Sequence, residues 1–114
     1  MLFGRRFGSA VKVILDHQGL AVRLTDERLA HILDHPEMVG LDAAIEETLK
    51  RPGLVVQSVS DEAARLYYRF YPATRAGDKF VCVAVKVTGS DAFALTAYLT
   101  DKPKKGTVLW DANS

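Results

Sequence analysis

The sequence has one cysteine, Cys82, and it sits in the most apolar stretch of the chain, KFVCVAVKV. A lone thiol excludes an intrachain disulfide framework and fits a reducing cytoplasm, the expected setting. Apolar surroundings raise a thiol's pKa and argue against a catalytic thiolate. No apolar run is long enough to span a bilayer, so no membrane partner is expected. The opening MLFGRRFGSAVKVIL carries an arginine pair, but Lys12 interrupts its apolar part and no small-residue cleavage site follows. Residues 1–9 are therefore expected to be a flexible tail. Charge of one sign is also lacking: 15 basic and 14 acidic side chains leave a net +1, unlike a protein that coats nucleic acid indiscriminately. There is no internal repeat, no low-complexity segment, no glycine-rich phosphate loop and no Ser/His/Asp set that spacing would support.

What is present has the size of a single domain over 1–114. Charge is distributed unevenly. Residues 1–24 carry four basic and one acidic side chain, 25–53 three and seven, and 54–114 eight and six. A polyanion should therefore meet the later part of the chain. VKVILDHQGLAVRL suggests two short strands around an Asp-His-Gln-Gly turn. Thr25 is a plausible N-cap, with Asp26 and Glu27 where the helix dipole favours acids. Leu29, Ile32 and Leu33 form the apolar stripe of a first helix that Pro36 ends. A second helix is expected from about Leu41 to Lys50, with Leu41, Ala44, Ile45 and Leu49 inward and Pro52-Gly53 at its end.

After Gly53 the period changes to two. LVVQSV, RLYYRFY, KFVCVAVKV, AFALTAYLT and GTVLW read as four or five strands, and their short links predict a mostly antiparallel meander with KFVCVAVKV central. The predicted fold class is α+β: two N-terminal helices packed on a curved, mostly antiparallel sheet of four to five strands, with an extra N-terminal hairpin as an option.

Two of the three histidines, His31 and His35, stand four residues apart in AHILDHPEM. Helical rotation of about 100° per residue turns His31 roughly 150° away from the Leu29, Ile32, Leu33 stripe. Three readings are open for it: a solvated surface imidazole, an acid or base in a cleft, and a zinc ligand shared with His35. The HExxH pattern is absent, because Ile32 follows His31, and the metal signal is weak. In RLYYRFY, alternation separates Leu66, Tyr68 and Phe70, assigned to the core, from Arg65, Tyr67, Arg69 and Tyr71. The second set has the composition that binds phosphates and stacks on bases, although a solvent-facing strand with cross-strand aromatic pairs reads the same way. AFALTAYLT adds Thr96, Tyr98 and Thr100 on one side, and the DKPKKG connection offers Lys102, Lys104 and Lys105 to a phosphate backbone.

Histidine, arginine, threonine, tyrosine and lysine make a metal-free set with no cofactor. Such a set suits cleavage of RNA by its own 2′-hydroxyl, a reaction that needs a base, an acid and cations around a pentacovalent phosphate. DNA lacks that nucleophile.

RLTDERLAHILDHPEM, RLYYRFYPATRAGDKFVCVAVKV and FALTAYLTDKPKKGTVLW resemble the small phage- and mobile-element-associated members of the barnase, EndoU, colicin ribonuclease and RelE-like superfamily. The likeness runs from about Val22 to Trp110, and H-x-x-x-H-P-E and T-A-Y-x-T…K-K-G-x-x-W are its more specific parts. It implies a helical N-terminal part against a curved antiparallel sheet whose concave side holds RNA. By position it also implies His31 as the helix-borne histidine, Arg65 or Arg69 as the strand cation, and Thr96 and Tyr98 as a late polar pair. Acidic helices and a net +1 depart from the strongly basic toxins and point to a defined substrate such as a tRNA loop, or to lost activity.

The resulting expectation is an endoribonuclease of toxin or phage type that leaves a 2′,3′-cyclic phosphate. His31 is base or acid, Tyr98 the partner donor, Arg65 and Arg69 stabilise the phosphate, and Thr96 positions it. Tyr67, Tyr71, His35, Lys104 and Lys105 bind substrate, and His35 is also the second choice of acid. RNA is the expected partner, with a protein inhibitor or antitoxin as a further one, and the oligomeric state is open. The alternative is a non-catalytic protein- or RNA-binding module on the same fold, in which His31→Ala changes nothing.

Overall fold

Two strands on either side of Asp16–Leu20 begin the fold. β1 (Val11–Leu15) and β2 (Ala21–Thr25) pair antiparallel, and the turn between them needs Gly19 at φ 85°, a conformation glycine adopts without steric cost. The computed structural model describes residues 10–114, so the tail expected over 1–9 lies outside the described residues.

β2 runs directly into α1 (Asp26–Leu33), where the Thr25 hydroxyl accepts the Arg28 N–H at 3.0 Å and Asp26 and Glu27 occupy the first turn. His35 is extended ahead of Pro36, as steric conflict with the proline ring requires, and Pro36–Met38 forms a 3₁₀ turn. α2 (Asp42–Lys50) follows. Ile32, Met38, Ala44, Ile45 and Leu49 are buried, so the apolar stripes of both helices enter one core.

The rest of the chain is strand: β3 (Leu54–Gln57), β4 (Ala64–Thr74), β5 (Gly77–Thr88), β6 (Asp91–Thr100) and β7 (Thr107–Asp111). All seven strands join one mixed sheet in the order β1-β2-β6-β5-β4-β3-β7. This overturns the expected meander of four to five strands on two points. The N-terminal hairpin is an integral part of the sheet, joined through a parallel step at Arg23 and Phe93. β7 does not return beside β6; it pairs antiparallel with β3, on the far side of β4 and β5. One edge of β6 is taken by β5 and the other by β2, which leaves the edge of β3 to β7.

Asp101–Gly106 must then cross the sheet as a strap, passing over β5, β4 and β3. The Lys104 N–H donates to the Tyr68 hydroxyl at 3.0 Å, and Gly106 lies so close to β3 that a Cβ there would collide with the Gln57 carbonyl oxygen and the Val56 side chain. The strap covers Val56, Leu66, Tyr68 and Cys82, a second small core. The helices cover the other face, packed on Val55, Tyr67, Val81, Val83, Val85 and Ala97. β5 is the middle strand, and Val81–Val85 are buried between the two layers.

The sheet is strongly curled toward the helices. His17, in the turn of the hairpin at one edge, stacks on Trp110 of β7 at the opposite edge, with ring centroids 4.8 Å apart. Its backbone N–H donates to the carbonyl of Leu49 at the end of α2 (3.1 Å). Gly106→Ala is expected to lower unfolding stability by about 1–3 kcal/mol, because the strap has to lift from β3. Urea titration of this variant beside the exposed-site control Ser90→Ala checks it.

Candidate functional site

The residues expected to form one catalytic set are distributed over both faces of the sheet. Arg65, Tyr67, Arg69 and Tyr71 lie on the helix-covered face, not on an open one; Leu66 and Tyr68 lie beneath the strap, and Phe70, assigned to the core, is 51% exposed. Alternation along β4 separates the two sets correctly but cannot say which of them the helices will cover. The phenols carry enough apolar ring to pack on α2, and their hydroxyls find carboxylates. Tyr67 donates to Asp16 Oδ2 at 2.7 Å and Tyr71 to Glu47 Oε1 at 2.5 Å. Burial pushes the Tyr71 phenol up to about 12, and that hydrogen bond in turn holds the Glu47 carboxyl below its usual range. Arg69 donates to the Arg51 carbonyl at 2.7 Å and lies 3.5 Å from Glu47, so it ties α2 to the sheet.

Thr96 and Tyr98 project from the opposite face. β4 and β6 are not neighbours, since β5 lies between them, and Cys82 is the partner of Tyr98 in the register. A bulge between Ala84 and Val85 leaves Leu95 as the extra residue on β6 and interrupts the alternation expected for AFALTAYLT. The Tyr98 phenol is raised by burial and by its neighbours Cys82 and Tyr68, and burial also raises the Cys82 thiol. His31 is exposed, and the depression beside it is lined by Glu27, Ala30 and Asp34, all from its own helix. It faces neither the strand arginines nor Tyr98, and two of its three neighbours would repel phosphate. His35 is exposed as well, 3.9 Å from Glu37.

Lys104 and Lys105 are exposed on the strap. The other lysines outside it each meet a carboxylate: Lys12 and Lys50 on Glu46, Lys79 on Asp101, Lys86 on Asp61. Among the described residues, Lys102, Lys104 and Lys105 make no ion pair, so the strap presents the free ammonium groups.

Sequence reasoning passed over the cluster at the end of the curl. The buried Asp16 carboxylate accepts from the Gln18 and Leu20 N–H groups, both at 2.9 Å, and from the Tyr67 hydroxyl, which fixes the turn and aims His17. Burial, together with the hydrogen bond to Asp16, drives the Tyr67 phenol well above its ordinary value. The His17 ring is half-buried between Trp110 and the edge of Tyr67, with centroids 6.1 Å apart at 82° for the latter pair. Its Nδ1 is buried with no hydrogen-bond partner, so Nε2 is the atom left for proton exchange. Burial lowers the His17 pKa, Asp16 partly offsets this, and the nearby Arg65 guanidinium lowers it further. The imidazole is therefore neutral at pH 7 and competent as a base. Arg65 also lines an open groove of about 210 Å³ with Gln57, Glu62, Val87 and Leu109.

A base, a guanidinium and an indole face thus meet at the β7 edge, next to the point where the lysine strap joins that strand. The sequence offered only a weak signal for this, an Asp-His pair immediately before Gln-Gly in a predicted turn. Compared with known proteins, the chain matches no family model, no curated protein sequence and no solved structure.

The lowered His17 pKa has a definite thermodynamic sign. The unfolded chain binds this proton near pH 6.5 and the folded chain only at lower pH, so stability falls as pH drops through 6.5 toward the folded value and is level above. Calorimetric Tm values at about pH 7.5 and about pH 5.5 should show a loss for wild type and a smaller one for His17→Gln. Carboxylates titrate mainly below that window.

Proposed function

We propose that the chain is a metal-independent RNA endonuclease whose chemistry centres on His17 and Arg65 rather than on His31. The observation that carries this reading is the neutral imidazole of His17, held beside the Arg65 guanidinium at the mouth of an open groove. RNA runs along the strap, its phosphates on Lys102, Lys104 and Lys105, and turns over the β7 edge. The exposed Trp110 indole supports a base there. The likeness of AHILDHPEM and TAYLTDKPKKGTVLW to the barnase, EndoU, colicin ribonuclease and RelE-like superfamily favours the same substrate class.

In the reaction, His17 Nε2 takes the proton of a ribose 2′-hydroxyl. The O2′–P bond forms as the P–O5′ bond breaks in line, leaving a 2′,3′-cyclic phosphate. The 5′-oxygen departs as a hydroxyl, its proton supplied by solvent in the open groove. Arg65 stabilises the charge that accumulates on the pentacovalent phosphate. Tyr67 and Asp16 do not exchange protons with substrate; they keep the turn in place. The helices occupy most of the concave face, and this restricts substrate to a strand that can bend around one edge, such as an RNA loop.

The test is cleavage of total RNA and of tRNA by purified protein in excess chelator, across about pH 5 to 8. His17→Ala should lower the rate by about 10²–10⁴-fold and Arg65→Ala by about 10²-fold, while His31→Ala stays within about twofold of wild type. A chelator-sensitive activity, or one that depends on His31 and not on His17, overturns the assignment. Intact RNA at every pH with RNA still bound would leave the binding module in its place.

A further inference from the structure

Beyond the strap, the open face of the sheet holds a second built feature. A cavity of about 410 Å³ is lined by Leu54, Phe70, Phe80 and Pro103, with Asp111 and Asn113 on one wall. Its size falls in the range of small-ligand sites, and its apolar walls with a few polar groups at one end match their usual composition. Phe70 and Phe80 meet edge to face with centroids 5.3 Å apart, yet Phe70 remains 51% exposed, an unusual state for an aromatic ring paired across a sheet. The rings form a corner into which a planar group can slide.

The polar wall is fixed. Asp111 Oδ1 accepts the Asn113 N–H at 2.9 Å, and the Asp111 carbonyl accepts both the Ser114 N–H and its hydroxyl, so the last turn of the chain holds the carboxylate in position. No cation pairs with Asp111 among the described residues, and lone pairs stay available on both oxygens. A carboxylate at the end of an aromatic slot selects among planar heterocycles. Guanine carries two donors on one edge, N1–H and the exocyclic amine, that match two carboxylate oxygens. Adenine presents an acceptor at N1 and would be repelled there. Uracil offers a single donor, N3–H, between two carbonyl oxygens that a carboxylate also repels. The strap lysine Lys104, whose N–H is held by the Tyr68 hydroxyl, stands beside this face and supplies a cation for an attached phosphate.

We propose that this cavity binds the guanine base of a nucleotide, with Phe70 and Phe80 against the ring and Asp111 accepting N1–H and the exocyclic amine. The proposal rests on the RNA reading only for the source of the base: Asp111 and Trp110 are adjacent on β7 and face opposite sides of the sheet. A strand turning over that edge could lodge a guanine here while a neighbouring phosphate reaches His17.

The experiment titrates the full chain with GMP and AMP, followed by amide shifts in NMR spectra, and with 2′-O-methylated UGU and UAU trinucleotides that cannot be cleaved. The expected result is shifts at Phe70, Phe80 and Asp111, and a preference of at least about tenfold for guanine over adenine. Asp111→Asn should reduce that preference to within about threefold, and Phe70→Ala, at an exposed position, should weaken both ligands. Tighter binding of UGU than of GMP assigns the base to an RNA strand; equal binding assigns it to free nucleotide. Equal affinity for GMP and AMP, or no shifts in the cavity at about 10 mM ligand, overturns the proposal. His17→Ala should bind GMP as wild type does, so a failure of the cleavage reading and a failure of this one are told apart.

Discussion

A buried carboxylate holding the first turn against the fourth strand is the constraint on which the rest of the molecule depends. Asp16 is taken out of water at a site where a charge would be costly, and three donors compensate it: two backbone N–H groups of its own turn and the hydroxyl of Tyr67. The first two shape the turn. The third is a contact between residues 51 positions apart, and it draws one edge of the sheet toward the middle. With Asp16 fixed, His17 reaches the end of α2 and the indole of Trp110, and the sheet becomes a curled one closed around its helices. Without that third bond the hairpin would remain part of the sheet but would have no reason to fold over it.

Electrostatics divide the two faces further. On the helix side, acids and bases neutralise one another in pairs: Glu46 lies between Lys12 and Lys50, and Glu47 receives Tyr71 and Arg69. These exposed pairs contribute little stability individually. Their consequence is for the field around the molecule, because they remove most free cations from that side. On the strap no such pairing occurs, and three ammonium groups within four residues stay unneutralised among the described residues. A chain of almost zero net charge can in this way keep one locally basic ridge for a polyanion, beside a groove that contains histidine and arginine.

The sequence reading was accurate where the physics is local. Thr25 is a cap because its hydroxyl needs only the next turn, Pro36 ends a helix through contact with its immediate predecessor, and the stripes of α1 and α2 follow from their own periodicity. The face of β4 was misassigned because Leu66, Tyr68 and Phe70 look more apolar than Arg65, Tyr67, Arg69 and Tyr71. Phenols and guanidinium stems are mostly hydrocarbon, and once Asp16, Glu47 and the Arg51 carbonyl satisfy their polar ends they pack under a helix as well as leucine would. The bulge in β6 was invisible for a similar reason: the extra residue is defined by its partner strand, not by AFALTAYLT.

Composition and periodicity alone fixed the lone buried thiol, two capped helices, a long strand-rich second half and a lysine cluster between its last two strands, because each depends on residues within a few positions of one another. Tertiary structure decided the remainder: that β7 crosses to β3, that the strand arginines turn inward, that His31 is left outside and His17 drawn in. Those outcomes depend on which distant groups satisfy a buried donor or acceptor, and partners 51 residues away along the chain leave no periodic trace.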